Sequence, residues 1–197
     1  MEKTALLWLS WLLGAYLIGS IPFGYLIGRM RGVDVRTVGS KNIGATNVYR
    51  TVGKKWGFLA FFCDVLKGLA PTLLALGEFG LTELSICVGL MCVVGHTLTV
   101  FMKFRGGKGV ATAFGMMLAL APVPVGIAFA VFVVTVWLSH YISLGSCLAA
   151  ATLATLIWVF DEPLLLRVLV TLMAAFIVYK HKSNIQRLRQ GCENKIY

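Results

Sequence analysis

Charge is scarce in this chain, and negative charge is scarcer: 13% of its 197 residues are charged, with only 8 Asp or Glu against 18 Lys or Arg. A soluble globular domain is about a quarter charged, so an ordinary water-facing domain is excluded. The five cysteines (Cys63, Cys87, Cys92, Cys147 and Cys192) contain no CxxC pair. Four of them lie in apolar stretches, which makes them small buried hydrophobes rather than metal ligands or disulfide partners. A secretory signal is missing as well: residues 4–18 are apolar directly after Glu2 and Lys3, with no basic leader or small-residue cleavage site. That stretch therefore reads as the first membrane span.

What fills the chain instead is apolar, 58% by residue count. The expected architecture is an all-α, polytopic integral membrane protein forming one membrane-embedded domain over 1–197. Apolar runs set about seven transmembrane helices, at 5–29, 56–76, 83–102, 109–120, 124–139, 145–160 and 164–179. The first carries a kink near Ser20-Ile21-Pro22-Phe23-Gly24, tolerable when neighbours satisfy the freed backbone. The fourth and fifth are separated at Ala121-Pro122-Val123-Pro124. Segment 109–120 is short for a ~30 Å core. Charge supports seven crossings. All of the 18 Lys and Arg except Lys3, Lys67 and Arg167 then fall on or beside one face, and Glu2, Glu78, Glu83, Asp161 and Glu162 face the other. The positive-inside rule makes the basic face cytoplasmic, with the N-terminus outside and the C-terminus in the cytoplasm. Basic residues flanking spans point to membrane lipid as the partner, not nucleic acid.

Three polar islands interrupt the apolar sequence on that basic face. The first is Gly39-Ser40-Lys41-Asn42-Ile43-Gly44-Ala45-Thr46-Asn47-Val48-Tyr49-Arg50, the second Phe104-Arg105-Gly106-Gly107-Lys108-Gly109, and the third His181-Lys182-Ser183-Asn184-Ile185-Gln186-Arg187. Each mixes glycine, amide or hydroxyl groups and cations, the donors that phosphate oxygens require. In the first, one acid, Asp34, stands among seven cations from Arg29 to Lys55, which argues against a merely solvated loop. Thr46 and Arg50 share a face if the segment is helical. The second is no Walker loop, because Gly109 follows Lys108 and no strand precedes it; a basic membrane-flanking loop is its plain alternative. In the third, His181, Asn184 and Arg187 recur every three residues, a pattern that a polar interfacial helix would also give. That tail helix would carry Ile185, Leu188 and Cys192 on one face. Ser143, in the loop before span six, reaches the same side.

Asp64 and Lys67 lie three apart inside the second span. Ionisable groups at that depth are paired or functional; mutual bracing and a proton relay are the two readings. His96 is either a ligand contact or a capping donor.

Taken together, Gly39-Ser40, Gly44 to Asn47, Arg50, Asp64 with Lys67-Gly68, Gly95-His96, Gly106 to Gly109, and His181, Asn184-Ile185, Arg187-Leu188, Gly191 and Glu193 resemble the PlsY family over nearly the whole chain. Its members are bacterial acyl-phosphate:glycerol-3-phosphate acyltransferases of the cytoplasmic (inner) membrane. The resemblance implies glycerol 3-phosphate and a fatty acyl phosphate as substrates, lysophosphatidic acid as product, no cofactor, no metal and no obligate protein partner. It implies a catalytic centre of Ser40, Arg50, Lys108, Ser143, His181 and Asn184. Gly44, Ala45, Thr46 and Asn47 would form a glycerol-phosphate loop, with Gly106, Gly107 and Arg187 completing the substrate grip. The general base is either His181 or a substrate phosphate oxygen. A phosphorylated-metabolite transporter is the competing class, but such sites sit near the midplane between repeats, and no repeat is visible. A lipid-binding scaffold would explain the charge but not the Ser, Thr, Asn and Gly density.

Overall fold

The computed structural model describes residues 2–196. The described residues form ten α-helices and one short 3-10 turn, with no strand. The chain divides into two compact units, one up to Leu120 and one from Ala121 onward.

The first unit holds α1 (Glu2–Ser20), α2 (Phe23–Met30), α3 (Ala45–Thr51), α4 (Lys54–Phe79), α5 (Glu83–Thr97), the 3-10 turn Val100–Met102, and α6 (Val110–Leu120). Helix α1 stops because Pro22 has no N–H to donate and its ring opposes the preceding turn. The carbonyls freed at the break find new donors: Thr99 Oγ1 donates to the Ser20 carbonyl at 2.6 Å, and Lys67 Nζ to the Ile21 carbonyl at 2.8 Å. The kink expected at residues 20–24 is therefore a true interruption, satisfied by a side chain of α4 and one from the loop after α5.

Small residues let the helices cross closely, as membrane packing favours. Helix α1 packs on α5 with Gly19 against the Cys92 backbone and Gly95 against the Tyr16 carbonyl. Helix α4 packs on α6 in the same reciprocal way, Gly68 against the Thr112 carbonyl and Gly115 against the Val65 carbonyl. A β-carbon at any of these four points would collide with backbone. Ala15, Ala75, Leu84, Val88 and Cys92 form one apolar core, and Ile27, Val35, Ile43, Val48 and Ala60 form another.

The second unit holds α7 (Pro122–Ser139), α8 (Ile142–Val159), α9 (Leu164–Lys180) and α10 (Lys182–Arg189). Helix α8 packs against both α7 and α9, with Gly145 under Phe132 and Val136. Helix α7 begins at Pro122, two residues earlier than expected. Proline is tolerated in a first turn, where the missing N–H has no intrahelical partner. Helix α8 likewise begins three residues early, so Ser143 lies in its first turn and not in a loop.

All seven apolar segments are helical. Five stretches are long and apolar enough to cross a membrane: Thr4–Met30, Lys54–Phe79, Glu83–Met102, Pro122–Ser139 and Ile142–Val159. Leu164–Lys180 joins that set when taken with Lys182–Arg189, to which it is bent by 55°. Val110–Leu120 has 11 residues, about 17 Å of helix, against a core of about 30 Å. Helix α10 ends at Arg189, so Cys192 does not continue its face; the Cys192 N–H instead closes the helix end on the Arg187 carbonyl.

Candidate active site

The first donor island sits on α3 and the loop before it. Val35, Ile43 and Val48 are almost fully buried against Ile27 and Ala60, pinning the loop from below. Asn47 is 1% exposed and organises the turn from within. Its Nδ2 donates to the carbonyls of Val35, Val38 and Asn42 at 2.8, 3.2 and 2.9 Å, and its Oδ1 accepts the Ser40 N–H at 2.9 Å. Those bonds consume the amide, so Asn47 shapes the loop and does not offer itself to a ligand as expected. The chain turns through positive φ at Gly39 and Lys41, both 56°, a region that favours glycine. Asn42 Oδ1 then accepts the Gly44 N–H at 2.8 Å, an Asx-type closure. Ser40 is left exposed at the tip. Thr46 and Arg50 lie one turn apart on α3, both half-buried. Helix α3 is seated on α4 by Gly57, which lies under Tyr49. Asp34, the lone acid here, is lowered to about 2 by the Arg36 guanidinium bonded to its carboxylate, so one cation is already neutralised.

The second island leaves the end of α5. Gly106 N–H donates to the Thr97 carbonyl at 3.1 Å and Gly107 N–H to the His96 carbonyl at 3.0 Å. The strand of loop bearing Lys108 is thereby sewn onto the helix terminus. Gly109, at φ 86°, turns the chain into α6. Lys108 is half-buried between these two fixed points. Beneath the loop lie Asp64, Lys67 and His96, all buried. Lys67 Nζ is 2.8 Å from Asp64 Oδ1, and His96 Nδ1 is 3.5 Å from the same oxygen.

The second unit gathers its polar residues on Glu193, whose side chain is 2% exposed. Ser143 Oγ and Asn184 Nδ2 both donate to Glu193 Oε1, at 2.9 and 2.6 Å, and Arg187 Nε donates to Oε2 at 2.7 Å. Burial works against ionisation of Glu193, but the bonds from Asn184, Arg187 and Ser143 outweigh it and hold its pKa below the ordinary value. Arg187 was expected to grip phosphate. Its Nε is committed to Glu193. Glu193 is among the residues that carry the family resemblance but not among the expected catalytic or substrate-binding residues. The available signal was that it is the only acid in a tail otherwise rich in Lys and Arg. His181 is 4% exposed and forms the joint between α9 and α10. Its Nδ1 lies 2.8 Å from the Ile177 carbonyl. A carbonyl only accepts, so Nδ1 carries a proton.

Among the described residues, no group of three His, Cys, Asp or Glu side chains is placed to hold a metal ion. The arrangement is one of fixed hydrogen-bond donors and cations on an α-helical membrane scaffold, suited to oxyanions.

That class narrows on comparison with known proteins. The family described as glycerol-3-phosphate acyltransferase matches residues 9–191. A glycerol-3-phosphate acyltransferase of Trichlorobacter lovleyi is 50% identical over 187 residues, covering 95% of this chain and 96% of the relative. One from Aquifex aeolicus is 43% identical, covering 92% and 95%. Among solved structures, PlsY, an integral membrane glycerol 3-phosphate acyltransferase, in its glycerol 3-phosphate form is similar with a TM-score of 0.92 at 41% identity, over 95% of this chain and 94% of that one. Its lysophosphatidic acid form gives 0.89 at 40% identity. This chain belongs to the glycerol-3-phosphate acyltransferase family of the PlsY type, as the motif resemblance implied.

Proposed function

We propose that the protein transfers a fatty acyl group from an acyl phosphate to the primary hydroxyl of glycerol 3-phosphate, giving lysophosphatidic acid and inorganic phosphate. The observation that carries this reading is whole-chain similarity to PlsY, solved in a glycerol 3-phosphate form and a lysophosphatidic acid form. The hydroxyl oxygen bonds to the acyl carbonyl carbon. The bond from that carbon to the bridging phosphate oxygen breaks, and phosphate leaves with the electron pair. An acyl phosphate is a mixed anhydride, already activated, so the chemistry needs charge stabilisation and orientation more than an enzyme nucleophile.

In this reading Arg50 and Lys108 neutralise the phosphates and the charge growing on the leaving group. Ser40, Ser143 and Asn184 orient oxygens, with Glu193 fixing the last two. Gly44, Ala45, Thr46 and Asn47 shape the glycerol-phosphate loop; Gly106 and Gly107 let backbone approach the ligand; Arg187 completes the substrate grip. The hydroxyl proton has two candidate acceptors, His181 Nε2 and a substrate phosphate oxygen. Residues 1–197 act as one acyltransferase in the bacterial inner membrane. The basic face is cytoplasmic, and the N-terminus lies outside.

The test is lysophosphatidic acid formation by purified protein from labelled glycerol 3-phosphate. Palmitoyl phosphate, palmitoyl-CoA and palmitoyl-carrier protein are supplied in parallel. Product from the acyl phosphate alone, lost in Lys108→Ala, is the expected result. Product only from a thioester would overturn the donor. No product from any donor would return the transporter reading, to be tested by flux into liposomes.

A further inference from the structure

The acyl-transfer reading leaves a buried ionic cluster without a part in the chemistry. Asp64 and Lys67 have side chains 3% and 2% exposed, inside a membrane helix, where such groups are costly. The cluster does not end in itself. Lys67 ties Asp64 to the Ile21 carbonyl at the break between α1 and α2. On the other side, Asp64 Oδ1 faces His96 Nδ1. The far edge of the His96 ring then lies against Gly107. Nε2, Cε1 and Cδ2 are the three nearest atoms to the point a Gly107 β-carbon would occupy. The backbone at Gly107 lies outside the left-handed region, so alanine there is opposed by the ring and not by φ. His96 also holds the loop through its main chain, since its carbonyl accepts the Gly107 N–H.

We propose that His96, held in place by Asp64, is a positioning residue for Lys108: the ring sets the height and direction of the Gly106-Gly107-Lys108 segment. The proposal rests on the acyl-transfer role of Lys108. Asp64 Oδ1 faces the ring at 3.5 Å from Nδ1, an electrostatic contact that favours this ring orientation. Lys67 keeps that carboxylate compensated, because an unpaired buried charge would be expelled. The geometry thus runs from the helix break to the loop through one carboxylate oxygen.

The experiment compares Gly107→Ala, His96→Ala and the double variant in proteoliposomes, with the folded fraction followed by size-exclusion chromatography. Gly107→Ala pushes the loop off the ring and is expected to lower kcat about ten- to a hundredfold, the cost of misplacing a catalytic group by about 1 Å. KM for glycerol 3-phosphate is expected to rise as well, because Gly107 and Lys108 belong to the substrate grip, so the rescue in the double variant is the deciding readout. His96→Ala is expected to behave alike. The double variant makes room for the new methyl group, so it should be no slower than the slower single variant. Losses that multiply, or wild-type kcat in Gly107→Ala, would overturn the positioning role. Should His96→Ala fail to fold, His96→Gln, which keeps bulk and an N–H, takes its place: recovered kcat alone or with Gly107→Ala supports the proposal, and multiplied losses overturn it. A wild-type protein inert toward acyl phosphate would sink the acyl-transfer reading and this proposal with it. An active wild type with an unaffected Gly107→Ala sinks only the proposal.

Discussion

Glu193→Gln is the perturbation whose size follows most directly from the geometry. Glutamine keeps Oε1 as an acceptor for Ser143 and Asn184, but it sets an amide NH2 where Oε2 accepted the Arg187 Nε–H at 2.7 Å. Two donors then face each other. A hydrogen bond to a charged group contributes ~1.5–3 kcal/mol. Arg187 is 34% exposed in its side chain, so water recovers part of the guanidinium and the lower end applies. For a chain of this length, ~1.5 kcal/mol corresponds to a fall in Tm of about 3–6 °C. The pH dependence has a defined sign. The folded pKa lies below the ordinary value of 4.5, so the stabilisation is fully present above 4.5 and is lost as pH falls through the folded pKa. Thermal unfolding in detergent micelles, followed by tryptophan fluorescence from neutral to acid pH, reads both effects. Wild type should lose this component on acidification, and the variant should lack it from the start. A Gln variant with the wild-type Tm at neutral pH and the wild-type acid slope would refute the Glu193 hub as an energetic feature.

Asn47→Ala should unsettle the first loop, because the Val35, Val38 and Asn42 carbonyls lose their donor; the expected cost is ~2–4 kcal/mol with a raised KM for glycerol 3-phosphate. Asn47→Asp should fail comparably despite its matched shape, since a carboxylate cannot donate to carbonyls, and wild-type stability in Asp would contradict the assignment. His181→Gln is expected to lower kcat about a hundredfold, the lower end for a proton-transfer group, because a phosphate oxygen shares the task; near-full turnover would remove His181 from it. Cys192 is the exposed cysteine, the other four being half-buried or buried. A membrane-impermeant maleimide should therefore label the protein in inverted vesicles, and labelling of intact spheroplasts instead would reverse the proposed orientation.

Hydropathy and proline placed the helices well, because burial in lipid leaves little choice of structure: backbone groups must bond within their own segment. The errors at Pro122 and Ser143 share one cause. Residues typical of breaks suggest a position outside the helix, whereas a first turn accepts them. The donor islands were legible as composition, but the division of labour within them was not. Asn47 looks like any exposed amide until the loop closes around it. Glu193 acquires its meaning from Ser143, 50 residues away, and no local pattern announces a contact of that range. The same holds for His96, whose weight comes from a glycine packed against its ring.

The interruption at Ile21-Pro22 has a consequence for biosynthesis. Its two exposed carbonyls are answered by residues 46 and 79 positions later in the chain, Lys67 from Ile21 and Thr99 from Ser20. A ribosome adding 5–20 residues per second delivers Lys67 only about 2–9 s, and Thr99 about 4–16 s, after the break has emerged. Throughout that interval the first segment holds its Ser20 carbonyl without the Thr99 donor, while the Ile21 carbonyl has only the local Phe23 N–H. It must wait at a hydrated level or against the insertion machinery, so the earliest helix made is among the last to settle.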